Sequence, residues 1–186
     1  MKEPFDPTIE RYLNGDYAKK NPDWDSIDSS WKAGKVHEIL DKNRIQPKSI
    51  VEVGCGSGAV LAALKQHYPG STLTGYDIAP DAQPFWEEFN SCGIRFELAD
   101  YLTLSEPAPD VLLLLDVLEH LGNPWAFLSQ LRSRTKMIVV HFPLDLSAIS
   151  VLRERPLLKV RDKVGHLHFY TRQLAISLLE ESGYEE

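Results

Sequence analysis

V-E-V-G-C-G-S-G, residues 51–58, is the stretch that decides the fold. Ile50, Val51 and Val53 make a short, mostly apolar strand. Gly54, Gly56 and Gly58 alternate in the turn after it, and Ala59 to Tyr68 then carries Val60, Leu61, Leu64 and Tyr68 at helical spacing. A strand running through a glycine-rich turn into a helix can bring bare backbone close to a ligand, because glycine lacks the Cβ that would hold it away. The first helical turn offers unpaired N–H groups and a positive dipole end to anionic atoms. The octet therefore predicts a nucleotide-type cofactor site. Gly54, Gly56 and Ala59 also satisfy a loose dinucleotide pattern, with Asp77 about twenty residues on.

Working outward, acids recur at strand ends. Leu73, Gly75 and Tyr76 lead to Asp77; Ile94, Phe96 and Leu98 alternate with Arg95 and Glu97 and lead to Asp100; the apolar run Val111 to Leu115 leads to Asp116. An unbroken run such as the last suits a central parallel strand covered on both faces. Met137 to Val140 is the expected fifth strand, after a helix from Pro124 to Arg134 with Asn123 as its cap. Before the octet, Trp31 to Asn43 reads as a helix capped by Asp28 or Ser29, with Val36, Ile39 and Leu40 facing inward. Residues 1–30 are polar, with Phe5, Tyr12, Tyr17 and Trp24 among turn signals. Residues 142–170 read as an irregular, cation-rich cap over the strand ends, containing Arg153, Arg155, Lys159, Arg161 and Lys163, which suit a solvated face or an anionic acceptor. Thr171 to Ser182 is the last helix.

Glu52 lies inside the first strand, where an acid is costly without a partner. That feature and the following motifs resemble the class I S-adenosylmethionine-dependent methyltransferases. Their first motif likewise runs apolar, x, acid, apolar, Gly, x, Gly, x, Gly. D-V-L-E-H-L at 116–121 and G-H-L-H-F-Y-T at 165–171 look like the ubiquinone-biosynthesis-like small-molecule group. The resemblance implies S-adenosyl-L-methionine as cofactor, with Asp77 on the ribose, Asp100 on the adenine amine and Tyr101 beside the ring. The candidate cofactor contacts are Trp31, Glu52, Gly54, Cys55, Gly56, Ser57, Gly58, Asp77, Ile78, Asp100, Tyr101, Asp116 and Val117. Trp31 would roof the methionine end.

The expected architecture is an α/β, Rossmann-like, doubly wound parallel sheet of order 3-2-1-4-5. Residues 1–45 form an N-terminal helical lid region, and 46–186 a cofactor-binding domain with the cap 142–170. The family's C-terminal antiparallel strand pair is expected to be missing, because the chain stops at G-Y-E-E. Methyl transfer from a sulfonium needs alignment of the acceptor and exclusion of water. A phenol or alcohol acceptor also needs a base, and histidine suits that task. His120 is the first candidate, then His141 and His168. His166 and His168 alternate, so only one can face the cleft. No metal is expected; a divalent cation would use Asp116, Glu119 and His120, at i, i+3 and i+4. A catalytically silent S-adenosylmethionine-binding partner protein is the alternative. An NAD-dependent oxidoreductase is disfavoured, since no Tyr-x-x-x-Lys occurs.

A formal net charge of −7 disfavours nucleic acid as a partner, as does the lack of an N/D-P-P-Y/F motif. The acceptor is therefore expected to be a small molecule. Cys55 and Cys92 make no disulfide framework. M-K-E-P-F-D-P lacks the apolar core of a signal peptide, and no apolar stretch approaches the ~20 residues of a membrane span. A cytoplasmic location is the default expectation.

Overall fold

The computed structural model describes residues 7–24 and 26–185. Phe5 and the start of M-K-E-P-F-D-P lie outside the described residues. In chain order the elements are helix α1 (Pro7–Leu13), α2 (Asp16–Lys20), α3 (Ser29–Lys42), strand β1 (Ser49–Val53), α4 (Ala59–His67), β2 (Thr72–Asp77), α5 (Gln83–Trp86), β3 (Ile94–Leu98), β4 (Val111–Leu115), α6 (Pro124–Leu131), β5 (Ile138–His141), α7 (Ala148–Arg153), α8 (Arg155–Lys163) and α9 (Arg172–Glu181). The sheet has the order β3-β2-β1-β4-β5, and every pairing is parallel. This is the order expected. It leaves a crevice at the carboxyl ends of β1 and β4, where the winding reverses.

β4 shows why the sheet sits centrally. All five of its residues are buried, and successive side chains point to opposite faces. Val111, Leu113 and Leu115 join Ala33, Val36 and Leu40 of α3 and Val60, Leu61 and Leu64 of α4 on one face. Leu112 and Leu114 join Leu128 and Leu131 of α6 and Ala175 and Leu178 of α9 on the other. Register carries the site as well as the core: Leu115 pairs with His141, so the residue after β4 lies beside the end of β5.

Gly58 ends the glycine turn at φ 79°, and a Cβ there would stand 2.5 Å from the ring of Phe96. Gly58→Ala should destabilise the fold by about 2–4 kcal/mol, from left-handed backbone strain and overpacking together. A denaturant titration measures it; an unchanged midpoint would mean that the loop shifts freely.

Two expectations are corrected. Residues 142–170 are not irregular, since α7 and α8 occupy most of them. Ser147 caps α7: its hydroxyl oxygen accepts the Ser150 N–H, and the Ser150 hydroxyl oxygen accepts the Ser147 N–H in return. Glu154, at φ 52°, breaks the chain direction between the two helices. The i, i+3, i+4 convergence of Asp116, Glu119 and His120 also fails. Asp116 has φ 56° and Leu118–His120 is a 3-10 turn, so the α-helical period is absent there. Among the described residues, no helix is long and apolar enough to cross a membrane.

Candidate active site

At the carboxyl ends of the strands lies a cavity of about 400 Å³, within the ~300–1,000 Å³ typical of small-molecule sites. One wall is the loop after β1: Gly54, Cys55, Gly56 and Ser57. Asp77 and Ile78 follow β2, Asp116 and Val117 follow β4, and His141 ends β5. Tyr12, Tyr17 and Trp24 close it from the N-terminal side, with Val164 and His166 from the segment after α8. A Cβ on Gly54 would come within 2.8 Å of Val117 Cγ2, so the two strand ends touch through a bare backbone.

Asp77 is fixed by its own loop. Gly56 N–H donates to Asp77 Oδ2 at 2.8 Å, and Ala79 N–H donates to Oδ1 at 2.8 Å. Burial raises its pKa, and these backbone donors act against that rise. Glu52 is 2% exposed, and its Oε2 has no hydrogen-bond partner among the described residues. Burial pushes its carboxyl up to about 8, with Lys32 opposing the shift and Asp77 and Asp116 reinforcing it. At neutral pH this acid holds its proton.

Lys32 was not singled out in the sequence, yet it belongs to the cavity wall. Its ammonium donates to Asp116 Oδ2 at 2.6 Å and lies 3.1 Å from Asp28 Oδ1. The signal was its register: Lys32, Val36 and Leu40 share one helix face, so a cation stood on the inward stripe. His141 Nδ1 lies 2.6 Å from the other oxygen of Asp116. A carboxylate only accepts, so Nδ1 carries the hydrogen and Nε2 keeps the lone pair. Asp116 stays below the usual carboxylate range despite its burial, because His141 and Lys32 both stabilise its charge. Its positive φ is backbone strain at the point where β4 delivers this carboxylate.

His120 also lines the cavity. It is boxed by Tyr12, Tyr17 and His166. Burial, then the neighbouring His166, lowers its pKa to about 3. Such an imidazole stays neutral and is a weak proton acceptor, which argues against the role of first-choice base expected for it. His166 faces the cavity. His168 does not line it; its Nε2 donates to the Leu121 carbonyl at 2.9 Å. Glu119 is fully buried, and burial, then the Asp116 charge, holds its carboxyl well above the usual range.

Four expected cofactor contacts stand outside the cavity wall. Trp31 is 54% exposed, and its ring meets His141 edge-on at 5.7 Å. Asp100 caps a short turn by accepting the Leu102 N–H at 2.9 Å. Tyr101 is a core side chain, 1% exposed, packed on Tyr76 at 5.1 Å. Its apolar ring is taken up by the face of the sheet opposite α3 and α4. Gly58 lies behind the wall, against Phe96.

A family model described as a methyltransferase domain matches residues 28–185. Among solved structures, the plantazolicin methyltransferase BpumL, in complex with a monoazolic desmethylPZN analogue and SAH, is similar with a TM-score of 0.70 and 21% identity. That match covers 92% of this chain and 71% of BpumL. An O-methyltransferase family protein from Burkholderia thailandensis gives 0.67 and 13%, over 94% of this chain and 58% of its own. Magnesium protoporphyrin IX methyltransferase (ChlM) from Synechocystis PCC 6803, with bound SAH, gives 0.62 and 20%, over 83% and 72%. At these identities the likeness is one of fold. No curated protein matches the chain.

Proposed function

The chain belongs to the methyltransferase-domain family and is an S-adenosylmethionine-dependent methyltransferase; from that premise we propose that it methylates the hydroxyl of a small molecule, with His141 as the base. The observation that carries this reading is the Asp116–His141 contact on the cavity wall. Asp116 fixes the tautomer and orientation of the ring and stabilises the imidazolium that forms when Nε2 accepts the hydroxyl proton. Lys32 holds the second oxygen of Asp116, so the carboxylate cannot swing away.

The residues fit the cofactor. Gly54, Cys55, Gly56 and Ser57 present backbone without bulky side chains, and Asp77 is fixed for a ribose. Glu52 supplies a buried oxygen without a partner, suited to a cationic group. When bound, S-adenosylmethionine supplies an electrophilic methyl group on a positive sulfur. Residues 1–45 act as a lid, because Tyr12, Tyr17 and Trp24 shield the cavity from water; residues 46–186 form the binding body. A place in the ubiquinone-biosynthesis-like group rests on D-V-L-E-H-L at 116–121.

An acceptor panel of phenols, alcohols, amines and thiols, assayed with methyl-labelled cofactor, tests the reading. Labelled ethers are the expected product; label confined to amines or thiols overturns it. Asp77→Ala should weaken cofactor binding by about 1.5–3 kcal/mol, the scale of hydrogen bonds to a charged group. Calorimetry measures it, and an unchanged affinity would reduce Asp77 to a loop fastener.

A further inference from the structure

We propose that Glu119, His120 and His166 bind one divalent transition-metal ion at the edge of the cavity. The Glu119 side chain is fully buried, and neither of its oxygens has a hydrogen-bond partner among the described residues. A buried carboxylate without donors is a costly arrangement unless a cation or proton completes it. The nearest nitrogens belong to His120 and His166, whose Nε2 atoms each lie 3.9 Å from Glu119 Oε1. One donor atom from each of the three residues lies within 4.8 Å of the others. Donors bound to one tetrahedral ion at ~2.0–2.1 Å stand roughly 3.3–3.4 Å apart, so the three side chains must draw inward to complete the site.

The surroundings of His166 match what a ligating histidine requires, whereas Nδ1 of His120 has no hydrogen-bond partner among the described residues. His166 Nδ1 lies 2.9 Å from Asp145 Oδ2. Asp145 only accepts, so Nδ1 carries the hydrogen and Nε2 is the lone-pair nitrogen, on the Glu119 side. A carboxylate on the outer nitrogen is the usual support of a metal-bound imidazole. The backbone pins the two halves of the site together: Leu167 N–H and His168 N–H both donate to the Glu119 carbonyl, at 2.8 and 3.2 Å.

One carboxylate with two imidazoles favours zinc, manganese or iron(II) over magnesium or calcium, which prefer oxygen alone. His120 and His166 also line the cavity, so the remaining coordination positions open towards it. Three protein donors with an open position make a site that exchanges ligands, such as water or an acceptor oxygen. Asp116 is not part of it, being committed to Lys32 and His141.

Equilibrium dialysis of the chelator-stripped protein against zinc, without cofactor or acceptor, tests the proposal. One ion per chain is expected at micromolar free zinc. Cobalt(II) in its place should give visible d–d bands. Glu119→Gln should weaken binding ~100-fold or more, and Asp145→Asn ~10–100-fold. His67→Ala, which alters the stacked surface pair His37–His67, should leave it unchanged. Absence of stoichiometric zinc in the wild-type protein overturns the proposal, as does zinc retained by Glu119→Gln or lost with His67→Ala. Should Glu119→Gln fail to fold by circular dichroism, the Asp145→Asn affinity and the wild-type cobalt spectrum decide in its place. No methyl transfer is measured, so failure here leaves the role of His141 untouched, and failure there leaves this site untouched.

Discussion

Replacing His141 by glutamine should lower methyl transfer by ~100-fold or more, the scale of general acid–base assistance, while cofactor affinity stays within a few-fold. The split follows from position. His141 ends β5, paired with Leu115, and touches Asp116 at 2.6 Å; the glycine loop, Glu52 and Asp77 sit on the β1 and β2 side. Asp116→Asn should lower the rate as well, because an amide can donate to Nδ1 and stabilise the wrong tautomer. The pH profile separates a base from a structural support. The wild-type rate should carry a limb that rises with pH, and in His141→Gln that limb should vanish. A rate that survives in His141→Gln would remove it from the chemistry. A collapse of cofactor affinity would instead make it part of the binding scaffold. His120→Ala should cost far less of the rate than His141→Gln, since burial leaves it a weak base.

Most of the fold was legible because its signals are local. Val111 to Leu115 could only be an interior strand, and three glycines after Val53 could only be a tight turn. The strand order followed from the family resemblance and fixed the crevice. The site was legible in parts. Asp116 and His141 were both marked as candidates, but their pairing was not, although a 3-2-1-4-5 order makes β4 and β5 neighbours and their ends adjacent. Lys32 was passed over because a lysine on a helix is ordinarily solvated; its register with Val36 and Leu40 was the clue. α7 is a short six-residue helix and α8 is dominated by charge, and proline and glycine punctuate the stretch, so neither stood out. Leu157, Val160 and Val164, half-buried at i, i+3 and i+7, carried the helical period. The grouping of Glu119 with His166 spans a separation no local pattern encodes. Tyr101 was assigned by family position, whereas its aromatic ring meets its hydrophobic demand in the core against Tyr76.

Glu52 should couple cofactor binding to pH. In the folded protein its carboxyl is pushed up to about 8 by burial, against ~4.3 in an unfolded chain. The neutral form is therefore the one the fold favours. The stability it contributes is fully present below the unfolded pKa and is lost as pH rises towards 8, by about 1.4 kcal/mol per pH unit at most. Glu52→Gln keeps the shape and removes the titration, so its Tm should exceed that of the wild type at pH 8 and above, and the two should converge only below the unfolded pKa, at about pH 4 and lower. Binding reverses the preference. S-adenosylmethionine brings a sulfonium, and a cation near Glu52 favours the carboxylate, so binding should release up to one proton at pH 7. Wild-type affinity should then rise with pH relative to Glu52→Gln, by as much as about tenfold per unit, and level off above pH 8. The demethylated product lacks the sulfonium charge and should show a weaker slope. Calorimetry in buffers of different ionisation enthalpy reads the proton directly. Equal pH slopes for wild type and Glu52→Gln, with no buffer-dependent heat, would leave Glu52 as a carboxyl that stays protonated in both states and takes no part in recognising the cofactor's charge.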